Sequence, residues 1–469
     1  MNLRIHQMEV VLQEKDAADW VYRGEGGANL VLAYCGSSPA FVGKVMRVQK
    51  EKREKSHGHR RKKSERPKSP SSLTVEERLL WKDAGELISS PTKEIMEQVY
   101  VQHVISPLLG PKHVDPGIRI LVSREFLESI EKNVIFQRPA WRVDAARVDM
   151  SRDSTLLMSD HSLFPLGTLK GQPFLSVEIK PKCGYLPFSR YIAERNAIKR
   201  SITRFKMHQV LKLRQHEISE LSEYDPLNLF SGSKGRIQKA IKALYATPQN
   251  NFRVFLNGSL ILGGLGGGTN KTNIGTEEAF ENQLKCLIQA GNGMRTESFI
   301  HLVTEAVYNS GVLDRLLEAQ KLDNLDIEGA IHAYYDIISQ PCRVCGELGE
   351  DELPHRYASL HSIPLDESLK IVKDFLIAVT VKDCSMMISF RPRVDGELGS
   401  SYNCVYLEST KQSFDYKVHF IDLDLKPLRK MEDYYNLDKK ILKCYTEEAN
   451  TKDGADKALT MQPYETISL

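Results

Sequence analysis

The sequence predicts an α+β fold, and three observations predict it. Strand-like and helical segments alternate without the regular rhythm of a doubly wound sheet. A glycine cluster, WVYRGEGGANLVLAYCG, sits between two strand-like runs near the start. In the second half the order is helix, aspartate, strand, strand, aspartate. With 469 residues, 41% of them hydrophobic, the chain can bury a large core and is long enough for two or three domains or lobes.

Each element follows from its residues. Gly24, Gly26 and Gly27 let the backbone approach a ligand, and their N–H groups can bind phosphate. The plainer reading is a glycine-rich hairpin. The next run, FVGKVMRV, reads as a strand with Phe41, Gly43, Val45 and Arg47 on one face. A glycine hairpin followed by a basic strand is the layout protein-kinase-like N-lobes place over nucleotide phosphates. Residues 50–72 hold ten Lys/Arg and almost nothing apolar, which predicts a disordered basic loop that serves in nuclear import, attracts phosphate or is simply solvated. TVEE at 74–77 reads as a capping box, Thr74 with Glu77, opening a helix through LLWKDAGELI. A second helix is expected from about Thr92 to Ile105, with Ile95, Met96, Val99 and Tyr100 at helical spacing.

The run LSVEIKPKCG (175–184) alternates Val177 and Ile179 with Glu178, Lys180 and Lys182, and Pro181 marks a sheet edge or a strand end. One carboxylate and two lysines on one face is either a solvated surface or the wall of an anion site. GGLGGGTNKTNIG (263–275) reads as a flexible loop, and 391–403 and the tail after Tyr445 lack periodicity. DESLKIVKDFLIAV sets Leu369, Val372, Leu376 and Val379 on one helical face and leads to Asp383. FDYKVHFIDLDLKPL then alternates Phe414, Tyr416, Val418 and Phe420 and ends in Asp422 and Asp424. This is the order in which kinase-like phosphotransferases place a catalytic-loop aspartate and a magnesium-binding aspartate. There is no HRD loop with its asparagine and no DFG, which disfavours a protein kinase.

Net charge is only +3, so any anion site must come from local clustering. No apolar run approaches the ~18 residues of a spanning helix, and the N-terminus is charged where a signal peptide is apolar. An intracellular soluble protein is expected, and eight cysteines in a chain this long do not read as a disulfide scaffold. Clusters of cations recur: Arg138 and Arg142 around Trp141; Arg204, His208 and Lys212 on one helical stripe beside Met207 and Leu211; Arg253 after Asn250 and Asn251; and Lys426, Arg429 and Lys430 before Tyr434. Together with two acidic candidates they point to a highly phosphorylated acceptor. His332, Cys342, Cys345 and His361 frame a CxxC zinc knuckle, with His355 a rival fourth ligand. The apolar helix face Ile327, Ile331, Tyr334 and Ile338 leaves His332 off the core stripe.

The strings YRGEGGANLVL, GKVMRVQK, EIKPK, RFKMHQ, QNNFRVFLNGSLILGG and FIDLDLKP together resemble the inositol-pentakisphosphate 2-kinases in their plant form, over nearly the whole chain apart from 51–72, some loops and the tail. EIKPK matches that family's E-x-K-P-K signature in full. The resemblance implies a two-lobed, distantly kinase-like fold with a helical inositide-binding insertion. The N-lobe would be 1–158, with 50–72 disordered; the C-lobe would be 159–469, with a disordered tail at 446–469. It implies transfer of the ATP γ-phosphoryl to the 2-hydroxyl of inositol 1,3,4,5,6-pentakisphosphate, giving inositol hexakisphosphate.

By that resemblance, Gly26, Gly27, Ala28, Asn29 and Arg47 hold ATP phosphates and Ser159, Asp160 and His161 form the hinge at the adenine. Glu178, Ile179, Lys180, Arg253 and Met387 line the nucleotide site, and Asp422 holds Mg²⁺. Arg142, Lys182, Lys212, Asn250, Lys426, Lys430 and Tyr434 hold the inositide, Lys180 and Asp383 are catalytic, and Asp383 accepts the 2-hydroxyl proton. The structural zinc ligands are His332, Cys342, Cys345 and His361, which favours His361 over His355. The Arg429-Lys430 order departs from the family, where arginine usually stands four residues before the tyrosine. A monomer in cytoplasm and nucleus, binding neither nucleic acid nor membrane, is expected. The competing reading is a zinc-containing nucleic-acid-binding protein without catalytic activity.

Overall fold

The computed structural model describes residues 11–53, 73–164, 172–264, 277–347, 357–393 and 402–460, with backbone alone for 451–460. Two sheets organise the chain. The first holds β1 (Val11–Leu12), β2 (Trp20–Glu25), β3 (Asn29–Tyr34), β4 (Lys44–Lys52), β5 (Ile118–Val122), β6 (Ala146–Val148) and β7 (Ser154–Ser159) in the order β1-β5-β7-β4-β3-β2, with β6 on β4. The second holds β8 (Leu175–Ile179), β9 (Phe252–Leu256), β10 (Ser259–Leu262), β11 (Ser385–Pro392), β12 (Asn403–Leu407) and β13 (Gln412–Ile421) in the order β10-β9-β8-β11-β13-β12. Only the β1–β5 pair is parallel. The α+β expectation holds.

Seven helices matter for the site: α1 (Val75–Leu80), α2 (Lys93–Tyr100), α3 (Arg124–Val134), α4 (Arg204–Arg214), α5 (Asp326–Ile337), α6 (Leu365–Asp383) and α7 (Met431–Thr460). The Thr74/Glu77 capping box forms as expected. The helix it opens is shorter than expected. It stops at Trp81, whose ring turns inward to meet Tyr100 edge-on at 5.6 Å, and a separate turn spans Gly85–Ile88. The Thr92–Ile105 helix forms, with a wide π turn over Val101–Ile105.

Other expectations need correction. Lys50–Lys52 belong to β4, where β6 pairs with them, so the basic loop does not begin at 50; residues 54–72 lie outside the described residues. Phe41 and Gly43 lie in the turn before β4, so only Val45 and Arg47 of that expected face are in a strand. The segment after Tyr445 is helical as far as Thr460. The loop 265–275 falls outside the described residues, as does most of 391–403.

Two apolar cores back the two sheets. The first joins Trp20, Leu30, Leu32, Met46 and Val148 to Phe126, Leu127 and Ile130 of α3. The second spans β8–β13 and the helices around them. It also takes Leu80, Trp81, Tyr100, Ile105 and Leu109, so the 73–114 helices pack with the second core although they precede β5 in sequence. Among the described residues no helix is long and apolar enough to cross a membrane.

Candidate active site

The topology of the second sheet brings the chemistry together. β8 and β13 both run antiparallel to β11, with Ile179 opposite Met386 and Ile421 opposite Ser385. The C-terminal ends of β8 and β13 and the start of β11 therefore share one sheet edge. Lys180 and Lys182 follow β8, Asp383 and Cys384 precede β11, and Asp422 and Asp424 follow β13. Pro181 is a strand end, not a sheet edge: β8 is central, and its last ladder bond runs from Lys180 N to Asn251 O. Nor is the Glu178 face a solvated surface, because every residue of β8 is buried.

A cleft of about 260 Å³ lies over this edge, between the two sheets. Gly26, Arg47, Arg142, Ser159, Asp160, His161, Glu178, Lys180, Asn250, Arg253, Met387 and Asp422 line it. Sequence reasoning named all of these. Arg47 reaches across to Asp424 (2.7 Å), joining the β4 strand to the segment after β13. Burial works against the Arg47 charge, but Asp424 and Asp422 keep its pKa above the ordinary arginine value. Lys180 Nζ sits 3.2 Å from Asp422 Oδ2. Although burial raises it, Lys180 and Arg47 hold the Asp422 carboxyl down at about 2. Glu178 pairs with Arg253 (2.9 Å) and accepts from Ser385 Oγ (2.8 Å). Burial raises its pKa, and Arg253 with Lys180 brings it below the ordinary value.

A second cluster continues from the cleft. Asp383 Oδ1 is 3.6 Å from Lys182 Nζ, and Asp383 Oδ2 is 4.0 Å from Lys426 Nζ. Burial pulls the Lys182 ammonium down to about 8; Asp383 opposes this, while Lys180 and Lys212 add to it. His208, one turn before Lys212 on α4, is pushed down to about 3 by burial and then by Lys212 and Arg204. Tyr434, in the first turn of α7, is raised to about 12 by burial and by Asp383. This crowd of cations around one carboxylate binds little internally and leaves positive charge for a ligand.

Several predicted residues stand elsewhere. Ile179 is fully buried in the second core, on the face opposite Glu178, so its side chain cannot touch a nucleotide. Gly27 and Ala28 form the exposed hairpin tip, and Asn29 is buried behind it; none is on the cleft wall. Lys430, by contrast, is half-exposed in the 3₁₀ turn before α7, where it pairs with Asp433 (2.7 Å) and stays open to a ligand. Arg138 is not available to a ligand, being buried between Glu25 (3.1 Å) and Glu131 (3.4 Å). Arg204 is ion-paired with Asp438.

Some residues of the site were not read from the sequence. Arg23 lines the cleft, held by Ser162 Oγ (2.7 Å) and the Gly258 carbonyl. Glu25 ion-pairs Lys50 and Arg138, and Lys50 and Arg142 donate to the Gly26 carbonyl (2.8 and 3.1 Å), fixing the glycine turn. Asp115 accepts from Ser159 N (2.9 Å) and so anchors the segment between the sheets. Arg23 and Glu25 stand inside the YRGEGG string itself, which was the available signal.

The metal knuckle is assembled apart from the cleft. His332 Nδ1 lies 3.4 Å from Cys342 Sγ, 3.3 Å from Cys345 Sγ and 3.1 Å from His361 Nε2. The four donors all lie within 4.8 Å of one another. A tetrahedral Zn²⁺ with bonds of about 2.0–2.3 Å needs donor–donor edges of about 3.3–3.8 Å, so the residues fit the ion. His332 is fully buried, because α5 is buried on nearly every side and not on one stripe. Asp336, one turn later, holds His361 Nδ1 at 2.7 Å. His355 lies outside the described residues.

Residues 22–440 match the family described as inositol-pentakisphosphate 2-kinase. The chain is 59% identical to an inositol-pentakisphosphate 2-kinase of Arabidopsis thaliana, over 97% of this chain and 99% of that protein. It is 51% identical to one of Oryza sativa subsp. indica (96% and 98% covered) and 29% identical to one of Danio rerio (92% and 94%). The chain belongs to the inositol-pentakisphosphate 2-kinase family.

Proposed function

We propose that this member of the inositol-pentakisphosphate 2-kinase family transfers the γ-phosphoryl of ATP to the 2-hydroxyl of inositol 1,3,4,5,6-pentakisphosphate, giving ADP and inositol hexakisphosphate. The observation that carries it is a single, largely exposed carboxylate, Asp383, set between Lys182 and Lys426 beside the Lys180–Asp422 pair. A hydroxyl acceptor needs a base, and a pentakisphosphate needs cations on both sides of that base.

In this reading Asp383 takes the 2-hydroxyl proton as the new O–P bond forms. The bond from the γ-phosphorus to the bridging oxygen breaks, and its electron pair leaves on ADP. Lys180 and Arg47 neutralise the transferring group and its neighbours, which is most of what phosphoryl transfer asks of a protein. Asp422, ionised at neutral pH, would hold Mg²⁺ against the nucleotide phosphates, and the ion would spread the charge developing on them. Ser159, Asp160, His161 and Met387 would close the adenine end, and Glu178 with Arg253 would serve the nucleoside side. Lys182, Lys212, Asn250, Arg142, Lys426, Lys430 and Tyr434 would take the inositide phosphates. The two sheets would be the lobes of a distantly kinase-like fold, and His332, Cys342, Cys345 and His361 would hold a structural Zn²⁺.

Incubating the protein with Mg-ATP and inositol 1,3,4,5,6-pentakisphosphate, with the product position assigned by phosphorus and proton NMR, tests the reading. Inositol hexakisphosphate is expected. Absence of turnover in a folded, metal-loaded sample, or phosphorylation to a pyrophosphate at another position, would overturn it.

A further inference from the structure

A second cavity of about 670 Å³ lies on the far side of the Ser159–His161 connection from the catalytic cleft. That volume is in the range of small-molecule sites, about 300–1,000 Å³. Two successive residues on one face of β13, Lys417 and His419, enter it, and Lys44, Lys112 and His113 stand around it. The imidazoles of His161 and His419 stack at 3.8 Å, 15° from parallel. His161 is 8% exposed, yet neither ring nitrogen has a hydrogen-bond partner; its nearest carboxylate oxygen, on Asp115, is 3.4 Å from Nε2. His419 Nδ1 is likewise buried and unpartnered, whereas His113 Nδ1 is engaged by the Val418 carbonyl (2.8 Å).

The carboxylates nearby are already used. Asp160 Oδ1 accepts from Ser162 N (2.9 Å) and Oγ (2.5 Å). Asp115 accepts from the backbone of Ser159 and Gly117, both at 2.9 Å, and its Oδ2 also faces His161 Nε2 at 3.4 Å. Lys417 makes no ion pair among the described residues, and its ammonium lies 5.8 Å from the Phe164 ring. Burial lowers the Lys417 pKa to about 8, against the pull of Asp160 and Asp115, and lowers His419 to about 2, with His161 and Lys417 adding to it. The Lys417 ammonium and two imidazoles with unpartnered nitrogens thus face one another, and among the described residues the Asp115 carboxylate stands beside His161. Stacked rings do not converge on one point, and the His/Cys/Asp/Glu groups able to share a cation lie elsewhere among the described residues. Among the described residues Asp160 is the one carboxylate on its wall, against Lys44, Lys112 and Lys417, and another wall is aromatic, Phe164 packed edge-on against Tyr402 at 5.1 Å with the Lys417 ammonium and the Arg391 guanidinium over the Phe164 ring.

We propose that this rear cavity is a second ligand site, for a small molecule carrying a phosphate beside a flat ring. The phosphate sits at Lys417, His419 and His161, and the ring lies toward Phe164. His161 lines both cavities, so the ligand would meet the same imidazole that borders the catalytic cleft.

The test uses the full-length protein with its cleft filled by a non-hydrolysable ATP analogue, Mg²⁺ and inositol pentakisphosphate. Adenosine monophosphate and inorganic pyrophosphate are then titrated separately by calorimetry. The expected result is one further equivalent of the monophosphate, bound more tightly than pyrophosphate. Lys417→Ala should weaken it about tenfold or more, the loss expected for one charged hydrogen bond. Lys417→Arg should restore it, and both variants should keep the wild-type kcat, which reports that they fold. No saturable binding of either probe, or the same titration in Lys417→Ala as in the wild type, would overturn the site. Equal affinity for the two probes would overturn the ring-binding half.

Discussion

Asp383→Asn is the sharpest test of the proposed chemistry, because the structure separates its effect on catalysis from its effect on binding. The side chain is 65% exposed, against 23% for Lys182 and 19% for Lys426, so the carboxylate faces the open cleft while its partners lie behind it. At 3.6 and 4.0 Å these contacts are too long for tight hydrogen bonds, and little folding energy rests on them. The amide is isosteric but cannot accept the proton of the 2-hydroxyl. A positioned base contributes about 10²–10⁴ in rate, or about 2.7–5.5 kcal/mol of barrier, so kcat should fall 100- to 10,000-fold. Binding moves the other way. The trio of two lysines and one carboxylate goes from +1 to +2, so affinity for a polyanion should stay level or rise. One linked effect must be controlled. Asp383 is the group that holds the Lys182 pKa up, so without it that pKa drops below about 8 and the free enzyme loses some Lys182 charge in alkaline buffer. Initial rates and calorimetric inositide affinity should therefore be measured together at pH 7. A kcat within about tenfold of wild type would refute the assignment of Asp383 as base, and a matching loss of inositide affinity would make it a binding residue instead.

Four further outcomes are expected. One equivalent of zinc should co-purify, and Cys345→Ser or chelation should lower the melting temperature more than it lowers kcat per folded molecule; metal analysis finding none, with melting unchanged on chelation, would dismiss the knuckle. Arg253→Met should destabilise the fold by about 3–5 kcal/mol at neutral pH, because it strands the buried Glu178 carboxylate. The folded pKa of Glu178 is depressed, so its contribution is full above the unfolded value of about 4.3 and is lost as pH falls through the folded value. Denaturant titrations should accordingly show the gap between wild type and Arg253→Met narrowing below about pH 4, and a gap constant down to pH 2 would rule out the pair as its source. At the start of α7, Lys430→Ala should weaken inositide binding about tenfold, Lys430→Arg should bind as well or better, and Arg429→Ala should matter little; the reverse pattern would shift the contact by one residue.

Much of this was legible in the sequence because the informative features are local. The alternation in LSVEIKPK and FDYKVHFI fixes strands and faces, and the capping box at Thr74 fixes a helix start within a residue. The CxxC with flanking histidines reads as one site because four soft or borderline donors at that spacing have few other uses. What stayed hidden depends on tertiary partners. Arg138 looked like a ligand for phosphate, but only the fold shows Glu25 and Glu131 closing around it. His332 sits off the stripe that periodicity defines, yet other elements bury the remaining faces of α5, and no single-helix pattern reports that. The resemblance set Ile179 with its neighbours at the nucleotide site, although the two-residue period of a strand already placed its side chain on the opposite face.

The same sheet edge also shows where the fold holds strained backbone to build the site. Lys182 has φ of +61° and Asp422 has φ of +63°, a left-handed conformation that costs a residue with a Cβ about 1 kcal/mol or more and that glycine would adopt freely. Both residues stand just past the ends of β8 and β13, where a regular continuation would carry the next side chains on along the strand. The reversal turns them across the edge instead, Lys182 toward Asp383 and Asp422 toward Lys180. Neither turn is left to chance. Gln320, fully buried, donates to the Lys182 carbonyl and accepts from Gly184 N (both 2.8 Å), and Tyr224 donates to the Pro181 carbonyl (2.7 Å). Asp422 is held by the Lys180 ammonium at 3.2 Å. Glycine at either position would relieve the strain and remove the charge the position exists to present. A chain of net charge +3 thus sets one cation, Lys182, and one carboxylate, Asp422, across the same edge by holding backbone strain at two residues, with the buried polar groups behind Lys182 supplying the stability that allows it.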